Sequence, residues 1–430
     1  MKESKALWRW LLWGVFTAIT AFLASRHEPW YDEYHVWFMC RDMSLLELWR
    51  AMTEEGHFIL WHLLVFPFAK LGASWWCLEV LSVAFVSCAA WLLVFCSPFE
   101  WPALCLILFS FPMVYDYPVV SRCYALIPPI LFGLGALYHD QDKHRWLYCF
   151  LIGLLAHTHV FVEGLVAALF LLYLYEQVYL LHKAGKPVQD SILPAVLIIV
   201  MVLLAFIQVT GSLSYGQSTF DADKRGLAIT LHHLGGAYGM FFTFGMRTRI
   251  LHGDWLPLLP ILIASVLLLA VVLVLLYRIF WKRRENRRFA LVLLAAIGWQ
   301  VLFSLFIYCF AYQRVYLPML MVCFALWCVY EKDMRKETMV LLLILFLLTA
   351  RDIPFNDINH SYCHDMEVYE QILDRVEPGT TVYVEDASEP MYFPLLQDTY
   401  DLRYLGPVGT AVLPDPPFWL VTENVLSLHP

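Results

Sequence analysis

The sequence predicts an all-α polytopic membrane protein of about eleven transmembrane helices, followed by a small α/β domain at the C-terminus. Of the 430 residues, 60% are apolar and only 15% are charged, whereas an ordinary soluble domain carries about a quarter charged residues. The apolar residues gather in runs that approach the roughly 20 residues a helix needs to cross a bilayer core. This composition excludes a soluble globular chain and a disordered one, and the formal charge of −8 excludes a nucleic-acid-binding protein.

Eleven apolar runs, closed by charged residues, proline or glycine, are the predicted spans. They are residues 7–24, 75–96, 99–114, 123–138, 146–158, 159–181, 191–210, 257–280, 289–310, 315–330 and 338–350. The apolar segment 57–71 has only about 15 residues, which predicts an interfacial helix in the first outer loop. The polar residues at 157–159 predict a tight outer turn between two spans.

The distribution of lysine and arginine predicts the orientation of the spans. The predicted inner segments hold 16 of these residues in 47 positions, and the predicted outer loops hold 10 in 109. Because basic residues concentrate on the cytoplasmic side, the N-terminus is expected in the cytoplasm. The long loops 25–74 and 211–256 are then expected on the outer face, together with the tail.

The chain divides into a transmembrane domain, residues 1–350, and a soluble extracytoplasmic domain, residues 351–430. The second has acidic residues, asparagine and proline at the level of soluble proteins, and no run long enough to span a membrane. Within it, the pattern at 367–376 predicts a helix, and the patterns at 380–384 and 417–422 predict strands.

The most prominent polar motif of the outer loops is W-Y-D-E-Y-H-V-W-F at 30–38, directly after the first span. Asp32 and Glu33 lie at headgroup depth among aromatic residues, and His35 follows them. Successive side chains diverge by about 100° on a helix or 180° on a strand, so only one of the two carboxylates is expected to line a given cavity. The alternative is a solvated loop within an ordinary aromatic belt.

Two arginines at other outer helix ends are candidate ligands for an anion. Arg122, in Y-D-Y-P-V-V-S-R-C-Y at 115–124, either pairs with Asp116 to cap the turn or binds an anionic ligand. Arg314, in Y-Q-R-V-Y at 312–316, has no adjacent acid, and a guanidinium donates bidentately to phosphate and stays charged. Snorkelling to lipid headgroups is the ordinary alternative for Arg314.

The predicted outer side also carries histidines, among them His35, His57 and His159. Any two of them, together with a carboxylate, could hold a divalent metal ion. Their spacing singles out no set, so a divalent metal ion and a site without metal both stay open. The sequence has no Gly-rich phosphate loop and no HExxH or CxxC motif.

The order and common side of these motifs make residues 1–350 resemble the integral-membrane GT-C glycosyltransferases that use a polyprenyl-phosphate sugar. That group contains the protein O-mannosyltransferases and the bacterial aminoarabinose transferases. S-R-C-Y-A-L at 121–126 is similar to the family's R-x-Y-A-L segment, A-H-T-H-V-F at 156–161 to its L-T-H-Y-F turn, and Q-R-V-Y-L-P at 313–318 to its R-Y-L-x-P segment. The segment G-H-F-I-L-W-H at 56–62 departs from the family's H-P-P-L-Y, because the prolines are absent.

The resemblance implies an inverting transfer of a sugar from a polyprenyl-phosphate donor to a hydroxyl of a glycan, lipid or protein acceptor. Asp32 would be the general base, and Glu33 and His57 would orient it or help to hold a metal. The residues that would bind the donor phosphate are Arg314, Arg122 and Tyr124. Further candidates for support of the site are His35, Asp116, His159 and Tyr316. The expected location is the bacterial inner membrane, with the active site and the C-terminal domain in the periplasm.

Two other classes of function stay open. An outer-face polysaccharide polymerase or ligase would also have about eleven spans, long outer loops and arginines. A flippase or transporter for lipid-linked sugars, or a scaffold subunit of a membrane complex, would need no catalytic carboxylate.

Overall fold

The computed structural model of the protein describes residues 2–29, 31–55, 57–210, 225–239, 259–310, 312–351, 353–354, 358, 365–385, 396, 399–406, 415–422 and 425–429. The α-helices that position the site and the core are α1 (Lys2–Ala24), α2 (Tyr31–Asp42), α3 (Leu45–Glu55), α4 (Leu60–Lys70), α5 (Trp76–Cys96), α6 (Trp101–Leu108), α7 (Ile127–Leu137), α8 (Arg145–Ala156), α9 (Glu163–Tyr173), α10 (Leu180–Lys183), α11 (Gln189–Thr210), α12 (Leu227–Tyr238), α13 (Leu259–Leu276), α14 (Arg287–Phe306), α15 (Leu317–Val329), α16 (Arg335–Thr349) and α17 (Asp365–Arg375). The strands are β1 (Thr381–Glu385), β2 (Asp401–Gly406), β3 (Phe418–Thr422) and β4 (Val425–His429).

Six helical stretches of the described residues are long and apolar enough to cross a membrane. They are Leu7–Ala24, Trp76–Cys96, Val160–Lys183, Gln189–Val209, Leu259–Trp281 and Arg284–Phe306. The prediction of a largely helical chain with apolar helices long enough to span a membrane is confirmed, and the count of eleven spans is not. The remaining five predicted runs also contain helix, but their α-helices are short, from 8 residues in α6 to 15 in α16.

The predicted span 99–114 is not one continuous helix. α6 ends at Leu108, and a π-helical turn occupies Pro112–Asp116. The hydroxyl of Ser110 donates to the carbonyl oxygen of Ile107 at 2.7 Å, and Pro112 has no N–H to continue the helical ladder. The interruption directs the chain into the segment that carries Arg122.

In the predicted first outer loop, the described residues form three helices, α2, α3 and α4, where the sequence predicted one. The predicted helix within 57–71 is present as α4, and its position in a membrane interface stays a prediction. α3 begins with a capping box: the backbone N–H of Ser44 donates to Glu47 at 2.8 Å, and the N–H of Glu47 faces the hydroxyl of Ser44 at 3.4 Å. Leu48 and Met52, one helical turn apart, are fully buried on the inner face of α3.

The predicted break at 157–159 is present, because α8 ends at Ala156 and α9 begins at Glu163 after a 3₁₀ turn. α14 packs against this junction. The indole Nε1 of Trp299 donates to the carbonyl oxygen of Val160 at 2.8 Å, and the amide of Gln300 donates to that of Phe161 at 3.2 Å. These bonds hold the backbone of the turn, which carries His159, on a membrane helix.

The C-terminal residues form their own hydrophobic core, separate from the core of the membrane region. The sheet order is β2-β1-β3-β4, with β1 parallel to β2 and β3, and β3 antiparallel to β4. The predicted helix at 367–376 and the strands at 380–384 and 417–422 are confirmed as α17, β1 and β3. β2 and β4 were not predicted. Buried residues of α17, β1 and β3 form this core, among them Val368, Ile372, Val382, Val384 and Val421.

The close contact of α9 with α14 generates a prediction about stability. A Cβ at Gly164 would lie 2.2 Å from the Cβ of Trp299, whereas a Cβ at Gly298 would meet nothing within 4 Å. Since small residues allow membrane helices to approach, Gly164→Ala is expected to destabilise the protein by about 1–3 kcal/mol. The loss is measured as a lower unfolding temperature, from the fraction of protein that stays monodisperse in size-exclusion chromatography after heating. Gly298→Ala is the matched control on α14, and an unfolding temperature of Gly164→Ala equal to that of the control would contradict the packing.

Candidate functional site

Asp32 and Glu33 lie in the first turn of α2, and their side chains point to different surroundings. Asp32 is 34% exposed, and its Oδ2 is 2.8 Å from Nη1 of Arg122. Glu33 is fully buried, and its Oε2 is 3.0 Å from Nε2 of His27, which is also buried. The other oxygen of Glu33 accepts the backbone N–H of Ser121 at 2.5 Å.

The two carboxylates therefore hold adjacent points of one distant segment. Glu33 binds the backbone N–H of Ser121, 88 positions further along the chain, and Asp32 binds the side chain of the next residue, Arg122. A buried carboxylate with two hydrogen-bond partners is a strong local constraint, because breaking either bond leaves a buried polar group unpaired. The sequence analysis predicted that Glu33 orients the base or helps to hold a metal. In the structure, its contacts are those of a structural anchor for the segment that carries Arg122.

Arg314 is a buried cation beside this segment. Arg314 belongs to the 3₁₀ turn Tyr312–Tyr316 and is only 7% exposed. Its Nε donates to the hydroxyl of Tyr124 at 2.9 Å, and its Nη1 donates to the carbonyl oxygen of Cys309 at 3.1 Å. The guanidinium also lies 4.7 Å from the ring centroid of Tyr308. Within the described part of the chain, no carboxylate pairs with Arg314.

Tyr124 connects Arg314 to His159. The hydroxyl of Tyr124 is 2.8 Å from Nε2 of His159, and the backbone N–H of Phe161 donates to Nδ1 of the same ring at 3.2 Å. Burial holds the pKa of His159 well below its usual range, and the nearby Arg314 lowers it further. The hydrogen bond from Phe161 also fits a neutral ring, because a protonated imidazole would carry a hydrogen on Nδ1 and could not accept that N–H. The Cζ of Arg122 lies 5.8 Å from the ring centroid of Tyr124, so both arginines contact this tyrosine.

The turn that carries Arg314 is held by side-chain-to-backbone hydrogen bonds to the segment before Arg122. The side-chain amide of Gln313 donates to the carbonyl oxygens of Asp116 at 2.8 Å and Val120 at 3.0 Å. In return, the hydroxyl of Tyr117 donates to the carbonyl oxygen of Gln313 at 3.1 Å. These three bonds join two segments that lie nearly 200 positions apart in sequence and set the position of Arg314.

The structure thus brings together Asp32, Arg122, Tyr124, His159 and Arg314. The cluster contains two positive guanidinium groups and one negative carboxylate. With a neutral His159, these groups carry a net charge of about +1. A positive, largely buried cluster with donors from arginine and tyrosine is suited to bind an oxyanion.

Other predicted site residues lie apart from this cluster or at its edge. Asp116 does not pair with Arg122. It is buried near Arg351, and burial raises its pKa to about 8 against the opposing charge of that arginine. Tyr316 packs on Phe111, with ring centroids 5.3 Å apart, rather than on Arg314's cluster.

The two remaining histidines differ in their relation to the cluster. His57 is exposed between α3 and α4, close enough for its charge to lower the pKa of His159. His35 is partly exposed on α2. Among the described residues, no three His, Cys, Asp or Glu side chains group to hold a metal ion.

Sequence reasoning missed several residues that build the site. His27 and Ser121 complete the burial of Glu33, Gln313 positions Arg314, and Tyr308 covers its guanidinium. No local pattern marks these residues, because their roles depend on contacts between distant segments.

The chain is a largely helical protein with apolar helices long enough to cross a membrane and a buried cationic cluster, and fold and site define no narrower class. Comparison with protein-family models, with curated proteins and with solved structures finds no match. The resemblance to GT-C glycosyltransferases therefore stays a prediction from the sequence motifs.

The different surroundings of Asp32 and Glu33 generate a prediction. Glu33→Ala would leave the backbone N–H of Ser121 and the ring of His27 without their buried partner, which is expected to cost about 2–4 kcal/mol of stability. Asp32→Ala would break a partly exposed ion pair, which is worth about 0–1 kcal/mol. Thermal unfolding of the two variants in the same detergent measures the difference, and equal losses would contradict the assignment of Glu33 as the anchor.

Proposed function

We propose that the protein is a membrane glycosyltransferase that moves a sugar from a polyprenyl-phosphate donor to an acceptor hydroxyl on the outer face of the membrane. The observation that supports it most is Arg314, a buried guanidinium with no carboxylate partner in the described part of the chain. A buried charge is costly unless it is paired, so an anionic ligand is its natural partner. In this proposal, an apolar face of the helices beside the site holds the lipid chain.

The charges of the cluster favour a single phosphate. Asp32 already compensates Arg122, which leaves the charge of Arg314 to be matched. A polyprenyl-phosphate sugar is a phosphodiester with one negative charge, and its leaving group gains a second negative charge as the sugar departs. Fixed cations aimed at that oxygen lower the barrier, because they bind the transition state more strongly than the ground state.

The proposed reaction is one displacement at the anomeric carbon. The acceptor oxygen forms a bond to that carbon while its proton passes to the carboxylate of Asp32. The bond from the anomeric carbon to the phosphate oxygen breaks, and its electron pair stays on the phosphate. The products are an inverted glycoside and polyprenyl phosphate, and Asp32 later releases its proton to water.

Asp32 has the geometry for this role. Its Oδ2 is held by Arg122, whereas its Oδ1 has no hydrogen-bond partner among the described residues, and the side chain is 34% exposed. An acceptor hydroxyl can therefore reach Oδ1. Arg122 lies between the base and Tyr124, so it can contact the donor phosphate while it orients the carboxylate.

Other parts of the proposal follow from the sequence. The N-terminus is placed in the cytoplasm, the site and the C-terminal domain are placed in the periplasm of a bacterial inner membrane, and the span count is eleven. Two guanidinium groups supply the positive charge at the leaving oxygen, and a divalent metal ion at the site stays open. A polysaccharide polymerase or ligase would share most of this chemistry. A flippase for lipid-linked sugars would bind the phosphate but would need no general base.

Replacement of Asp32 separates these functions. Asp32→Asn is expected to retain binding of polyprenyl phosphate and to lose turnover by about 10²–10⁴-fold, the usual contribution of a general base. Transfer of a radiolabelled sugar from polyprenyl-phosphate donors in membrane vesicles measures turnover. Asp42→Asn, an exposed acid of the same helix, is the matched control. Transfer by Asp32→Asn at the rate of the control would contradict the proposed role of Asp32 as the base.

Replacement of Arg314 tests phosphate binding itself. Arg314→Ala is expected to weaken the binding of polyprenyl phosphate by roughly 2–5 kcal/mol, or about 30-fold or more, because a buried charged hydrogen bond is lost. Titration of polyprenyl phosphate into the protein in phospholipid nanodiscs measures the affinity. Arg287→Ala, at an exposed arginine of α14, controls for loss of general charge. Equal affinity of the two variants would contradict the phosphate site.

A further inference from the structure

The hydrogen bonds around Tyr124 determine which way its hydroxyl donates. The backbone N–H of Phe161 can only donate, so Nδ1 of His159 must accept, and its distance of 3.2 Å fits such a bond. A neutral imidazole then carries its proton on Nε2. That N–H faces the oxygen of Tyr124 at 2.8 Å, and the Nε–H of Arg314 faces the same oxygen at 2.9 Å.

The oxygen of Tyr124 therefore accepts two hydrogen bonds, which use both of its lone pairs. Its own hydrogen is left to donate, and no further partner for it is present among the described residues. Tyr124 is 1% exposed, so bulk water does not readily take this hydrogen bond. The opposite tautomer would turn an Nδ1–H toward the N–H of Phe161, where two donors would face each other.

We propose that His159 is a positioning residue that commits the hydroxyl of Tyr124 to donate to the phosphate of the bound lipid. This inference rests on the proposed function. An ionised phosphate only accepts hydrogen bonds at its free oxygens, so a committed donor matches it, whereas a hydroxyl free to reverse its direction would match it less well. The bond strengthens as charge grows on the phosphate, so it favours the dianionic leaving group over the monoanionic donor.

The protein supports the turn of His159 in a way that fits this role. Trp299 and Gln300 of α14 bind the carbonyl oxygens of Val160 and Phe161. These bonds hold the backbone N–H of Phe161 against the imidazole, so the tautomer is set by a fixed backbone group rather than by a mobile side chain.

Two substitutions of His159 separate positioning from a purely structural role. In His159→Gln, the longer amide reaches the place of Nε2 and can donate to Tyr124. In His159→Asn, the shorter amide reaches the place of Nδ1 and can accept the N–H of Phe161, but it leaves Tyr124 without its partner. Tyr124→Phe, which removes the donor itself, is the reference variant.

The experiment compares two probes in phospholipid nanodiscs at pH 8: polyprenyl monophosphate, which is mostly dianionic there, and its methyl ester, which is a fixed monoanion. The wild-type protein is expected to prefer the monophosphate. Tyr124→Phe and His159→Asn are expected to weaken binding of the monophosphate by about tenfold or more, the size of one hydrogen bond to a charged group, and to weaken binding of the methyl ester less, so that the preference falls. His159→Gln is expected to retain the preference. Thermal unfolding confirms that each variant is folded.

The outcomes distinguish the inference from the function on which it rests. If the wild type binds neither probe, or if Arg314→Ala binds both as well as the wild type does, the phosphate site is wrong and the inference fails with it. If binding depends on Arg314 but folded His159→Asn keeps the wild-type preference, or folded His159→Gln loses it as Asn does, the positioning role is overturned while the phosphate site stands.

Discussion

The site depends on one interaction, the attachment of the first turn of α2 to the segment at 121–122. Glu33, fully buried, binds the backbone of Ser121 and the ring of His27, while Asp32, its neighbour, binds the side chain of Arg122. Because consecutive side chains on a helix diverge, one carboxylate enters the core as an anchor and the other stays partly exposed. This division leaves Asp32 both positioned and accessible, which are the two properties that a general base needs.

The second constraint is electrostatic. Arg314 lies in the protein interior with a tyrosine hydroxyl, a carbonyl oxygen and aromatic rings around it, and these groups stabilise a guanidinium without neutralising it. A carboxylate at the same place would satisfy the charge and occupy the site. The arrangement of dipoles and π-faces instead leaves the guanidinium without a carboxylate partner among the described residues, as the proposed phosphate site requires, and Tyr124 joins it to Arg122 and His159.

The sequence predicted the parts of this structure that are encoded locally. Long apolar runs predicted the membrane helices, and the position of Asp32, Arg122 and Arg314 at helix ends of one predicted side indicated a shared site. The capping box of Ser44 and Glu47 was also a local signal, and with it α3 could have been predicted. The interruption at 109–116 depends on a serine and a proline within an apolar run, which hydropathy alone does not register.

Contacts between distant segments could not be predicted in this way. The burial of Glu33 depends on His27 and on a backbone N–H 88 positions away, and the place of Arg314 depends on Gln313 reaching carbonyl oxygens 193 and 197 positions away. The local pattern of a single sequence does not show which distant residues come into contact. The same limit explains why a pair of Asp116 with Arg122 stayed one of two alternatives for that turn, whereas in the fold Asp116 lies near Arg351.

The most direct test of the account is an experimental structure of the protein in a lipid bilayer with polyprenyl phosphate bound. The account predicts phosphate density within hydrogen-bond distance of the Arg314 guanidinium and the Tyr124 hydroxyl, with the carboxylate of Asp32 facing the same cavity. Phosphate density at another place on the protein, with the Arg314 guanidinium still surrounded only by protein groups, would contradict it.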